Sequence, residues 1–155
     1  MPDTFRVFRS VTMAAPPERI APHIEDFRMW QKWSPYEKLD LQMKKTFSGA
    51  ERGVGSSYAW EGNSKAGAGS MTITEATPKT VIMALRFTKP MRSESSAEFT
   101  LEPDGTGTRV TWAMTGQKNF MMKVMGIFMN MDKLIGRAFE EGLANLKELV
   151  EKRPG

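Results

Sequence analysis

Cysteine is absent from the 155 residues, and histidine occurs once, as His23. Without a thiol there can be no disulfide, no thiolate metal site and no cysteine nucleophile. With one imidazole, a two-histidine metal site cannot form, and any Ser-His-Asp arrangement would depend on His23 alone. His23 has no second catalytic partner in the sequence and reads as a partly exposed or capping residue of a short helix. No cofactor is implied. Long apolar runs are missing too, none approaching the roughly 20 residues of a membrane span. The opening Met1-Pro2-Asp3-Thr4 lacks the basic-then-apolar order of a signal peptide. The expectation is therefore a cytoplasmic chain with no integral membrane segment.

Charge of one sign is also scarce. The net charge is +4, but residues 1–118 hold 16 basic and 13 acidic side chains, residues 119–152 hold 5 of each, and Arg153 supplies the rest. Pairs such as Lys44-Lys45 do not make a basic stripe, so the pattern speaks for a solvated surface of mixed sign and against a nucleic-acid partner. What the chain has in quantity is methionine, 13 in all, with five between Met121 and Met131. Its length suits a single domain, residues 1–155, able to bury roughly 70% of its unfolded surface around one core.

Residues Thr4 to Ala14 alternate as a strand, with Phe5, Val7, Arg9 and Val11 on one face. Ala15-Pro16-Pro17-Glu18 opens a short helix, since proline fits a first helical turn. Pro22 is expected to limit it. A second short helix or turn carries Met29, Trp30 and Trp33, and ends at Ser34-Pro35 because the residue before proline is pushed out of the helical region.

From Leu39 to Gly116 the period becomes two, interrupted by turn residues. The strands expected are Leu39 to Phe47, Ser56 to Glu61, Ser70 to Ala76, Thr80 to Thr88, Glu94 to Glu102 and Thr108 to Thr115. Strands in immediate succession, with no helices between them, predict an antiparallel meander. Parity gathers Tyr58 and Trp60, Met71 and Ile73, Val81, Met83, Leu85 and Phe87, Ala97, Phe99 and Leu101, and Val110, Trp112 and Met114 on one apolar face. Arg86, Glu98, Thr100, Thr72, Thr74, Thr111 and Thr115 fall on the other, which should face water.

The apolar face needs a cover, and the segment from about Asn119 to Lys152 supplies one as a helix of roughly 50 Å. Spacing at 100° puts Phe120, Val124, Phe128, Met131, Ile135, Ala138, Phe139, Gly142, Leu146 and Leu149 on its inner side. Met122 and Met129 project away from it. Gly126 and Gly136 each cost a helix about 1 kcal/mol relative to alanine, which points to close packing, bending or space for something else. The predicted architecture is α+β: a curved antiparallel sheet of about seven strands wrapped around a long C-terminal helix, with two short helices after strand 1.

This order resembles the helix-grip fold of the START-related, SRPBCC superfamily. Trp33-Ser34-Pro35, Leu39-Asp40, Lys45-Thr46-Phe47-Ser48-Gly49, Gly53-Val54-Gly55, Tyr58 to Asn63, Gly69 to Glu75, Lys89-Pro90, Gly107 to Trp112, Asn130-Met131-Asp132 and Phe139 to Leu143 are together similar to its bacterial polyketide cyclase/dehydrase-like branch. The resemblance runs from about Phe5 to Glu151. It implies a cavity for an apolar molecule such as a lipid or polyketide, and it carries no invariant catalytic motif onto these positions.

Tyr58, Trp60, Met71, Ile73, Met83, Phe87, Phe99, Trp112, Met114, Phe128, Met131 and Ile135 form the candidate lining. Singly, each also suits a plain packed core. As a set they combine amphipathic rings with methionines whose flexible thioethers repack around variable shapes. Glu61 and Asp132 are the nearest carboxylates. Either a buried carboxylate acts as general base in an aldol-type cyclisation, or both are solvated rim groups. Three functions stay open at this point: binding or transport of an apolar small molecule, a cyclase or dehydrase reaction, and an interaction module. The last would dock as a homodimer, or on a membrane surface, through Met122, Met125 and Met129.

Overall fold

The computed structural model describes residues 4–34, 44–62, 67–89, 93–117 and 131–151. Strand β1 (Thr4–Met13) leads to helix α1 (Pro17–Glu25) and a 3-10 helix (Phe27–Lys32). Strands β2 (Lys44–Gly49), β3 (Ser56–Glu61), β4 (Ala68–Ala76), β5 (Thr80–Lys89), β6 (Ser93–Asp104) and β7 (Gly107–Gln117) follow, and helix α2 (Met131–Glu151) ends the chain. The seven strands make one antiparallel sheet in the order β1-β7-β6-β5-β4-β3-β2. The meander is thus as expected, with β1 added to the far side of β7.

Pairing fixes which side chains share a face. Val7 lies opposite Met114, Arg9 opposite Trp112, and Val11 opposite Val110. Ala97, Phe99 and Leu101 of β6 meet Met114, Trp112 and Val110, and Met71 and Ile73 of β4 meet Leu85 and Met83. These alternate positions are buried or half-buried, whereas Arg86, Glu94, Glu102 and Arg109 are exposed on the other side. A register shift between Ile73 and Glu75 brings Ala76 opposite Val81, so the apolar row continues past the irregularity.

Three expectations are corrected or extended. Helix α1 runs through Pro22 to Glu25 instead of stopping there. In a nine-residue helix that proline removes a single hydrogen bond, to the carbonyl of Glu18, a residue that is exposed. The β6–β7 hairpin turns at Gly105-Thr106, with Asp104 paired to Gly107, so β6 carries straight through Pro103. The third concerns the cover, which has two parts. Helix α2 packs chiefly on β1, with lesser contact to β7, while the 3-10 helix packs on β3.

The 3-10 helix brings Trp30 and Trp33 onto the sheet. Their indole N–H groups donate to the carbonyls of Ile24 (2.8 Å) and His23 (2.9 Å). Both rings are therefore buried with their polar atoms satisfied, a condition tryptophan needs in a core. Trp33 meets Trp112 at 5.4 Å, and Trp112 stacks on Phe139 of α2 at 4.1 Å with 13° between planes. These rings join the sheet to both covers. Asn145 of α2 donates to the Trp33 carbonyl (3.1 Å), tying the covers to each other.

Candidate ligand site

Burial along the apolar face is graded. Val81, Leu101 and Val110, at one end of the sheet, and Leu143 and Leu146 of α2 are each at 0–1% exposure. Moving along the strands, Leu85 and Met114 rise to 8% and Ile135 to 7%, and Met71, Phe87 and Trp60 are half-buried. From the ring layer outward, side chains shorten on β4, β6 and β7, whereas on β5 and β3 they grow, to Phe87 and Trp60. On β6 the inward row reads Leu101, Phe99, Ala97, Ser95; on β7, Val110, Trp112, Met114, Gly116; on β4, Ile73, Met71, Gly69. The face loses cover in that direction, and its rows end in Ser95 on β6 and in glycines on β4 and β7. This leaves a closed end, filled by rings, and an open end under the first described turns of α2.

The expected lining residues divide along this gradient. Phe99 and Trp112 are stacked on each other (5.0 Å, 21°) and enclosed by Trp30, Trp33 and Phe139. With Ile73 and Met83 they belong to the buried hydrophobic core. Tyr58, Trp60, Met71, Phe87, Met114 and Ile135 stand toward the open end. Phe128 lies outside the described residues, and Met131 opens α2 without a described side chain. The reading of Met122, Met125 and Met129 as a docking surface also falls outside the described residues.

An aromatic row forms one wall. Arg28 lies over Phe47 at 4.8 Å, Phe47 stacks on Tyr58 (5.2 Å, 13°), Tyr58 meets Trp60 (6.0 Å), and Trp60 meets Phe87 edge-on (5.9 Å). The Trp60 ring rests on Gly69, its cross-strand partner, where a Cβ would come within 2.9 Å of Cη2. Glycine there lets the indole lie flat against the sheet. Trp30, Trp33, Phe47 and Leu85 were absent from the expected lining. Strand parity already put Leu85 on the apolar face, whereas no period in the sequence sets Trp30 of the six-residue 3-10 helix, and Trp33 just after it, against Phe99 and Trp112.

Of the two carboxylates, Glu61 is exposed at the end of β3 and shares the parity of Ser57 and Ala59, not that of Tyr58 and Trp60. It faces away from the groove. Asp132 belongs to α2, with no described side chain. His23 is half-buried on α1, its Nδ1 enclosed without a hydrogen-bond partner among the described residues. Burial, assisted by the charge of Lys32, holds its pKa below the ordinary histidine value. Among the described residues no group of three or more histidine and carboxylate side chains converges, and no helix is long and apolar enough to cross a membrane.

A curved antiparallel sheet with a C-terminal helix packed on it and short helices after the first strand defines an α+β domain of the helix-grip class. The chain belongs to the polyketide cyclase / dehydrase and lipid transport family, whose model matches residues 4–151. The START-related resemblance read from the sequence is thereby confirmed. No curated protein sequence matches the chain. Among solved structures it is similar to protein CV1439 from Chromobacterium violaceum, at 19% identity and a TM-score of 0.67, with 99% of this chain and 100% of that one covered. It is also similar to the Aha1 dimer from Colwellia psychrerythraea, at 21% identity and 0.62, covering 97% and 99%. Against the di-domain ARO/CYC protein BexL of the BE-7585A biosynthetic pathway the TM-score is 0.71 at 12% identity, covering 98% of this chain and 52% of that one. These likenesses concern the fold.

Proposed function

We propose that the protein binds an apolar small molecule, lipid-like or polyketide-like, at the open end of the groove between sheet and α2. Tyr58, Trp60, Met71, Phe87, Met114 and Ile135, joined by Leu85, would contact the ligand. Ile73, Met83, Phe99 and Trp112 would form its floor, and Phe128 and Met131 complete the proposed set of contacts. The observation that carries this reading is the fall of burial along the inward face, with the β6 and β7 rows shortening to Ser95 and Gly116 at its less covered end. Membership of a family described by polyketide cyclases, dehydrases and lipid transport supports the same reading.

Most of the affinity would come from apolar surface removed from water, at about 25 cal/mol per Å². The methionines Met71 and Met114 allow the wall to adapt to the shape it meets. Glu61 faces away from the apolar face, which removes one of the two candidate bases for a cyclisation. The test is displacement of the fluorophore N-phenyl-1-naphthylamine by fatty acids and by polycyclic ketones, with native mass spectrometry of the purified protein. Saturable binding that these competitors reverse is expected. No binding of the fluorophore or of any competitor, together with a protein free of bound apolar molecules, would overturn the proposal.

A further inference from the structure

Two hydroxyl side chains stand on the inward rows of the four central strands β4 to β7, among the described side chains. They are in opposite situations. Thr108, at the closed end, is fully buried and donates to the carbonyl of Ala15 at 2.8 Å. Ser95, at the open end, lies opposite Leu85 and continues the row Leu101, Phe99, Ala97. The alternation along β6 confirms its direction: Glu94 is exposed, Ser95 half-buried, Ser96 exposed and Ala97 buried. Its hydroxyl has no hydrogen-bond partner among the described residues.

A half-buried hydroxyl on an otherwise apolar face, still reached by water, exchanges that water for a bond to whatever enters. From the contrast with Thr108 we infer that Ser95 orients the ligand by donating a hydrogen bond to one ligand oxygen. This assignment rests on the proposed binding function and adds a chemical class to it: an apolar body carrying a neutral carbonyl or hydroxyl oxygen. A neutral oxygen fits better than a carboxylate because, among the described side chains, the inward neighbours of Ser95 are Leu85 and Ala97 and no cation stands beside them. The oxygen sits near the open end, and the apolar body reaches inward toward Met83 and Phe99.

Two probes of one ring system test the assignment: the ketone 6-propionyl-2-(dimethylamino)naphthalene, and 2-(dimethylamino)naphthalene, which lacks the carbonyl. They are titrated into the wild-type protein and into Ser95→Ala, a change that removes one oxygen and should leave the thermal midpoint and near-UV circular dichroism unchanged. The wild type is expected to bind both. Ser95→Ala should weaken the ketone by about five- to tenfold, the effect of one neutral hydrogen bond, and leave the parent amine unaffected. The bound ketone should also lose the red shift that a hydrogen bond to its carbonyl gives its emission. Equal weakening of both probes, weakening of neither, or binding of the amine alone would overturn the role of Ser95 and leave the groove as a binding site. Failure of the wild type to bind either probe would overturn the binding function, and this assignment with it.

Discussion

The guanidinium of Arg9 occupies the place where a side chain at Gly136 would stand: a Cβ there would collide with Nη2 and Cζ, and lie 2.9 Å from Nε. Arg9 is on the inward face of edge strand β1, opposite Trp112. It runs beneath α2 to reach Glu140 one turn further on, with Nε 2.8 Å from Oε2. Its Nη1 donates to the Phe8 carbonyl at 2.7 Å. The glycine that weakens the helix thus gives the arginine a path from the apolar face to solvent, and a long cationic side chain can lie against apolar surface while its charge stays wet.

Gly136→Ala should accordingly change sign with its surroundings. In the wild type the added methyl displaces the guanidinium and breaks its contacts with Glu140 and Phe8, so stability is unchanged or reduced. In an Arg9→Ala background the obstacle is gone, and the same change should stabilise by about 1 kcal/mol, the helix-propensity difference between glycine and alanine. Urea unfolding of the four proteins of this double-mutant cycle gives the coupling directly. Equal effects in both backgrounds would show that Gly136 is not there for Arg9.

Phe139→Ala should be among the most damaging single changes in α2. The ring is 2% exposed and stacks on Trp112 at 4.1 Å, so its loss opens a cavity where sheet and helix meet. A cost of about 3–5 kcal/mol is expected from urea midpoints. The near-UV circular dichroism of the tryptophans should weaken in the folded variant. A cost below about 1 kcal/mol would mean that α2 is held elsewhere.

Acid should destabilise the fold in two separate windows. The His23 pKa is held below its ordinary 6.5, first by burial and then by Lys32. The folded state therefore binds this proton less readily than the unfolded chain does, and stability falls as pH drops below about 6.5 toward the lowered folded value. The Glu151 carboxylate accepts from Lys147 Nζ (2.6 Å) and from the Ala14 N–H (2.7 Å), which together hold its pKa below the ordinary 4.5. Its contribution is complete above that value and is lost only as pH falls through the lowered folded value. Thermal midpoints measured against pH should decline between pH 7 and 5.5 in the wild type, and stay flat there in His23→Gln. An unchanged slope in that variant would exclude His23 as the source.

Much of this molecule was legible in its sequence. Period-two alternation marked the strands, and parity placed Met71, Met83, Phe99, Trp112 and Met114 on one face, because a half-buried sheet repeats a single geometric rule. Trp30 and Trp33 were harder. A 3-10 turn has no long period, and these rings find their partners through contacts far apart in the chain. Gly136 was visible as a helix anomaly, but its cause lies 127 positions away in Arg9 and appears only once β1 and α2 are packed together. Ser95 stood on the inward parity all along. What the sequence could not show is that Thr108 has a carbonyl partner and Ser95 does not.

The position of the ligand is tested most directly by methyl NMR of the methionines during titration with N-phenyl-1-naphthylamine. Met71 and Met114 line the open end, while Met13 is fully buried where β1 meets the start of β7, opposite Thr108. Binding as proposed should shift the Met71 and Met114 methyl signals saturably and leave Met13 in place. Saturation with Met13 moving as far as the other two, or no shift at any methionine, would contradict a ligand site at the open end of the groove.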